Sequence, residues 1–231
     1  MRATVDTFCE YEKVVVGIYG AGSFARELAP VLRMQLAQKA DLLSDVDVEV
    51  CFVETEPSRS MVGSWPVISE GAFMALECEA KFFNVALGDS GHRRRLAEKL
   101  LDCGAVPVEI RSPDCIEYER NRISEGAIFC AHTMITSDAA IGKFFQCNIY
   151  SYVAHDCVIG DYVTFAPRVC CNGNVQIGNG AYIGTGAILR PGNLGRPLII
   201  GANSVVGMGA VVTKDVPEGA TVYGNPAHIG K

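Results

Sequence analysis

The chain has 231 residues, a formal net charge of −6 and 49% hydrophobic residues, enough to bury one large core or two modest ones. Its Lys and Arg are scattered, which argues against a nucleic-acid or anionic-lipid partner, and no apolar run approaches the ~18 residues a spanning helix needs. With no charged-then-apolar opening or small-residue cleavage site, the expectation is a cytoplasmic protein without a membrane partner, whose ten cysteines stay reduced.

After an N-terminal extension (1–12), strand and helix signals alternate. KVVVGIYG (13–20) is a β-branched run ending in glycine, and SFARELAPVLRMQLAQ (23–38) has amphipathic-helix spacing, with Pro30 in its first turns. VDVEVCFVE (46–54) reads as a strand, 55–66 as a loop, EGAFMALE (70–77) as a helix, KFFNVALG (81–88) as a strand and SGHRRRLAEKLLDCG (90–104) as a helix. The basic cluster HRRRLAEK (92–99) reads as a solvated helix face with i, i+4 charge pairs. This alternation predicts a small Rossmann-like parallel sheet over 13–112, then a linker over 113–122. Sites in such sheets form at the carboxyl ends of strands, where Gly20, Glu54 and Gly88 fall.

From residue 123 to 231 the period changes to six. Positions 123, 129, 135 and every sixth residue to 189 are all apolar, from Ile123 and Phe129 through Val153 to Leu189. The fifth residue of each hexad, as in Ala127, Ala139, Val163 and Ala187, is mostly small or β-branched, although Asn193 also falls there. The count breaks at RPGNLGRPLI, with five extra residues at 195–199, and resumes at Ile200, Val206 and Val212. A six-residue period is neither helical nor a plain alternation; it predicts a parallel β-helix of about five triangular coils, with inward first positions and glycine or asparagine at the corners.

The repeat, with its closing VVTKDVPEGATVYGNPA (211–227), resembles the left-handed β-helix hexapeptide acyltransferases, and the chain from about residue 13 is similar to the NeuD/PglD-type bacterial sugar acetyltransferases. The resemblance implies an α/β nucleotide-sugar-binding domain followed by a left-handed β-helix. It also implies a homotrimer with sites between subunits, acetyl-CoA as cosubstrate and no metal.

VAHDCVIG (153–160) places His155 and Asp156 at the third and fourth positions of a hexad, a corner whose side chains project outward. Packing does not account for them, which leaves solvated polar residues or function. By resemblance, NIYSYVAHDCVIGDYV (148–163) matches the stretch carrying the family's catalytic histidine and its acidic neighbour. An imidazole, with an ordinary pKa of about 6.5, suits removal of a proton from a sugar amine, and an adjacent carboxylate holds one tautomer. Asn148 is either a corner-turning residue or, by resemblance, a contact to the acceptor sugar. Gly173 in CNGNV is either a corner or, by resemblance, an oxyanion-binding amide. The resemblance extends CoA contacts to Thr164, Thr185 and Met208, although many relatives have histidine in place of Thr164. Cys147, Cys157 and Cys171 fall on inward positions, where a thiol acts as a small hydrophobe, so direct transfer is expected over a covalent cysteine route. His132 and His155 lack the spacing of a three-histidine metal site.

YGAGSFA (19–25) is G-x-G-x-x-A between a strand and a helix, which fits an anion cradle or a tight turn. By resemblance, Gly22, Ser23, Phe24, Glu54, Thr55 and Gly88 hold the nucleotide of a nucleotide-sugar. Relatives often have Gly-His at Ser23-Phe24 and paired aspartates at Glu54-Thr55. The expected activity is acetyl-CoA-dependent N-acetylation of a nucleotide-linked 4-amino-4,6-dideoxy sugar for surface polysaccharide or glycan synthesis. A sialic-acid-type O-acetyltransferase, a nicotinamide oxidoreductase using the glycine loop and a non-catalytic trimeric scaffold are the alternatives.

Overall fold

The computed structural model describes residues 2–193 and 195–230, and the chain divides into two compact units, Met1–Pro113 and Asp114–Lys231. The first unit contains β1 (Lys13–Tyr19), α1 (Ser23–Gln38), β2 (Asp47–Glu54), β3 (Met61–Val62), β4 (Trp65–Ser69), α2 (Glu70–Ala75), β5 (Ala80–Val85), α3 (Ser90–Asp102) and β6 (Val106–Pro107). They form one sheet in the order β3-β4-β2-β1-β5-β6, parallel except for β3. Val14, Val15, Val16, Ile18 and Tyr19 of β1 are all buried, as a parallel strand covered on both faces requires. Gly17 admits the ring of Phe73 from α2, since a Cβ there would lie 2.8 Å from the ring edge.

Two stretches differ from the sequence reading. The expected loop 55–66 contains β3 and the start of β4, joined by a tight turn at Gly63, and β4 extends the parallel sheet through Phe52↔Val67. The expected N-terminal extension holds a 3₁₀ helix, Val5–Glu10, whose Phe8 ring is buried with its centroid 4.5 Å from that of Phe82. The basic cluster is also not wholly solvated. Arg93 is buried and donates to the carbonyls of Leu87 (2.6 Å) and Gly88 (3.3 Å).

The second unit is a left-handed parallel β-helix. Two-residue strands pair at intervals of 18, as in Ile135↔Val153, Val153↔Cys171 and Cys171↔Leu189, so three hexads make one coil. Every first position from Phe129 to Val212 is buried, and Ile123 is partly so. Phe129, Phe145 and Phe165 form an aromatic column through the core, with successive centroids 6.0 and 5.0 Å apart. The expected linker carries strand Ile116–Glu117, paired in register with Met134–Ile135 in the first coil.

The fourth residue of every hexad from Arg120 to Gly186, and again Asn203 and Gly209, takes the left-handed backbone conformation. Glycine and asparagine fill some of these corners, but Arg120, His132, Phe144, Tyr150, Asp156 and Tyr162 also have φ between 50° and 59°. Each such residue is strained by about 1 kcal/mol, which the ladder of backbone hydrogen bonds between coils offsets. The insertion also sits differently from its expected span: Leu198 pairs with Val175 and takes the buried fifth position, while Asn193 is exposed. The register therefore slips between Leu189 and Leu198, where Asn193 and Arg196 form an antiparallel bridge.

Candidate active site

The hexad register decides which predicted residues meet. His155 and Gly173 are third-position residues in successive coils, joined through the hydrogen bond from the Asn174 N–H to the His155 carbonyl (2.8 Å). The imidazole lies against Gly173 so closely that a Cβ at 173 would overlap Cε1 and Nε2. On its other side, Nδ1 is 2.8 Å from Asp156 Oδ2. A carboxylate only accepts, so Nδ1 carries a proton, and in the neutral ring it is Nε2, the atom over Gly173, that presents the lone pair. Both side chains are about two-thirds exposed, at 66% and 62%, so a ligand can reach them in the single chain.

The floor of this corner is fixed by polar contacts. Tyr152 donates to Asn172 Oδ1 (2.9 Å), and Asn172 donates to the Leu189 carbonyl (2.7 Å), holding the residue before Gly173. Burial, with Cys170 beside it, pushes the Tyr152 hydroxyl up to about 12, so this phenol remains a donor at neutral pH. Cys157 and Cys171 face the core with their sulfurs 3.9 Å apart. The hydrogen bond with Cys157 and complete burial hold the Cys171 thiol well above its usual range, leaving it no nucleophilic role. The inserted segment packs directly above: the Gly192 N–H donates to the Gly173 carbonyl (3.0 Å), and Asn174 Nδ2 donates to the Asn193 carbonyl.

A second edge gathers Asn148, Thr185 and Met208. Backbone bonds from Arg168 to Ile149, Gly186 to Pro167 and Gly209 to Thr185 align Ile149, Pro167, Thr185 and Met208 as successive third positions, with Asn148 just before Ile149. Met208 is 80% exposed. The N–H groups of Gly173, Thr185 and Met208 have no acceptor among the described residues, so backbone donors are available on both edges. Asn148 turns its own Oδ1 onto the Ile149 N–H (2.7 Å), a corner-turning contact. Thr164 reaches neither edge; it is nearly buried within a strand, between Gln146 and Tyr182.

In the first unit the chain runs outward from β1 to β2 and β4, then returns to β5 on the other side of β1. This makes a switch point between β1 and β5, where ligands of open α/β sheets bind. Gly20, at φ 100°, turns the chain out of β1, and Gly22 caps α1, leaving the first amides of a 16-residue helix at this edge. Tyr19 pairs with both Val53 and Val85, so Gly22, Ser23 and Phe24, Glu54 and Thr55, and Gly88 all belong to one carboxyl edge. Sequence reasoning missed two cations here. Arg26 donates to Ser23 Oγ (3.2 Å), and Arg59 donates to the Ala21 carbonyl (2.7 Å). Arg26 lies within one helical turn of the glycine loop, a spacing the sequence did offer.

No family model matches the chain. Over 211 residues it is 46% identical to GDP-perosamine N-acetyltransferase of Escherichia coli O157:H7, covering 91% of this chain and 94% of that relative. The chain belongs to the hexapeptide-repeat sugar acetyltransferases. Among solved structures of this family, it is similar to WeeI from Acinetobacter baumannii AYE, with 43% identity, a TM-score of 0.87 and coverage of 94% of this chain and 99% of WeeI. It is also similar to PerB from Caulobacter crescentus, solved with CoA and GDP-perosamine, with 28% identity, a TM-score of 0.79 and coverage of 95% and 97%. The protein is thus an acetyltransferase, and no described helix is long and apolar enough to cross a membrane.

Proposed function

We propose that this acetyltransferase moves the acetyl group of acetyl-CoA to the amine of a GDP-linked amino sugar of the perosamine type, a 4-amino-4,6-dideoxy sugar, with His155 as general base. The observation that carries the reading is the accessible imidazole with its Nδ1 on Asp156 and its Nε2 over the backbone of Gly173. The E. coli relative named for GDP-perosamine N-acetylation and the PerB structure with GDP-perosamine support the choice of acceptor.

In this mechanism Nε2 of His155 takes a proton from the sugar amine as its nitrogen attacks the thioester carbonyl. The new C–N bond forms, the C–S bond breaks, and the imidazolium returns its proton to the departing thiolate. Asp156 stabilises the imidazolium, and the unpartnered Gly173 N–H is the donor for the oxyanion. Acetyl-CoA supplies an activated acyl group; Thr185 and Met208 hold its arm through backbone N–H groups and the exposed thioether, while Thr164, nearly buried in its strand, is left out of the CoA contacts. Asn148 contacts the acceptor sugar. Gly22, Ser23, Phe24, Glu54, Thr55 and Gly88 hold the nucleotide, with Arg26 and Arg59 adding positive charge near the diphosphate.

The active assembly is a homotrimer with sites between subunits. Supporting this is one solenoid face whose outward residues, Ile116, Met134, Tyr152, Cys170, Ile188 and Val211, form an apolar strip. That strip lies between the edge bearing His155 and Gly173 and the edge bearing Thr185 and Met208, so a subunit packed on it borders both. Free thiols at all ten cysteines fit a reducing, cytoplasmic setting, and the product serves surface polysaccharide synthesis.

The test is release of CoA thiol with GDP-perosamine and with a hydroxyl acceptor of the sialic-acid type. Activity with the amino sugar that falls about 10²- to 10⁴-fold in His155→Ala is expected. Turnover confined to the hydroxyl acceptor, or unchanged in His155→Ala, overturns the proposal.

A further inference from the structure

Beneath the His155–Asp156 corner the same edge carries a second acid that the reaction scheme does not use. Arg120, Asp138 and Asp156 are fourth-position residues of three successive coils, linked by backbone bonds from the Asp138 N–H to Glu119 (3.1 Å) and from the Asp156 N–H to Ser137 (3.2 Å). Arg120 grips Asp138 with both arms, Nε to Oδ1 and Nη2 to Oδ2, each at 2.6 Å. Ser137 lies directly under His155, so no large side chain separates the ring from the carboxylate at 138. Adjacent coils are about 4.8 Å apart.

We infer that the Arg120–Asp138 pair positions charge for His155: Arg120 neutralises Asp138, so the imidazole responds to a single net carboxylate, that of Asp156. This rests on the reading of His155 as the base. The hydrogen bond from Arg120 holds the Asp138 carboxyl below its usual range, with smaller contributions in the same sense from Arg122 and His155. Glu119 and Arg122 flank the Arg120–Asp138 pair on the coils below, and the Cys157 thiol lies on the core side of the ring. Above it, Arg190 and Arg196 lie on the segment packed over Gly173 and Asn174. Arg190 is engaged with the carbonyls of Thr213 and Pro191.

The two partners give effects of opposite sign. Arg120→Gln leaves Asp138 unneutralised and favours the imidazolium, so the acid limb of kcat/KM moves to higher pH. Asp138→Asn leaves Arg120 unneutralised, and the limb moves to lower pH. A unit charge about one and a half coil spacings away in a water-like medium displaces the limb by about half a pH unit, less at high salt. Arg120→Lys, which keeps the charge, leaves the limb at the parent position, and the double variant returns close to it.

The experiment is the pH profile of kcat/KM for these four variants and for His155→Ala, at low and high salt, with thermal midpoints confirming folded protein. Opposite displacements that shrink with salt support the inference. Superimposable profiles, or displacements of the same sign, overturn it. If His155→Ala is inactive while the profiles coincide, this inference fails alone; if His155→Ala is active, the assignment of the base fails first.

Discussion

The His155 imidazole occupies the space over Gly173 that any side chain at 173 would need, with Cε1 and Nε2 in the path of a Cβ. Glycine there is set by close approach, since its φ is not in the left-handed range that the neighbouring Asn174 adopts. Gly173→Ala therefore pushes the ring off its line without disturbing the core. A displacement of about 1 Å at a reacting group is worth on the order of 10²-fold, and that loss is expected in kcat/KM with the thermal midpoint nearly unchanged. Activity within threefold of the parent would show that the ring has another productive position.

Asp156 combines two roles, a carboxylate on Nδ1 and a corner residue at φ 59°. Asparagine tolerates that backbone while removing the charge, so Asp156→Asn should keep parental stability and lose on the order of tenfold in kcat/KM, less than His155→Ala loses. Asp156→Ala adds backbone strain of about 1 kcal/mol, read as a thermal midpoint lower by about 2–4 °C. Equal midpoints for the two variants would refute the separation of roles.

Much of this was legible because the inward positions obey a strict count: each predicted first position from Phe129 onward is buried, and the count alone placed His155 and Asp156 on an outward corner. Closer use of the 18-residue register would also have set Gly173 over His155 and Asp138 under Asp156. The aromatic and charged corners at Arg120, Phe144 and Tyr150 were not legible, because inter-coil hydrogen bonds override the local preference of those residues for negative φ. The hairpin at 61–69 was hidden by Pro66, which suggests a loop, yet sits in β4 opposite Met61 of the short edge strand. The insertion was seen but shifted, since sequence could not show that Leu198, rather than Asn193, would fill the core.

Ile188 stands on the outward apolar strip, between Cys170 and Val211, and is 41% exposed in the single chain. If three copies pack on this face, Ile188→Glu buries a charge at the contact and dissociates the assembly. Sedimentation should then show a folded monomer in place of a trimer, with circular dichroism unchanged. A parent protein that sediments as a monomer would refute the assembly directly.

Cys51 lies buried in β2, and burial, with Glu49 adding in the same direction, pushes its thiol up to about 12. An unfolded cysteine titrates near 8.5. Below that value the thiol is neutral in both states and contributes no pH dependence. Between about 8.5 and 12 the unfolded chain releases a proton that the folded chain retains, so stability falls as pH rises, with a limiting slope of about 1.4 kcal/mol per unit. Urea midpoints measured at pH 8, 9 and 10 should therefore decline more steeply for the parent than for Cys51→Ala, which lacks the group. In the folded parent at pH 8.5, alkylation should reach the exposed Cys9 and Cys103 and spare Cys51. Parallel declines in the two proteins, or early labelling of Cys51, would mean that β2 opens far more readily than its packing implies.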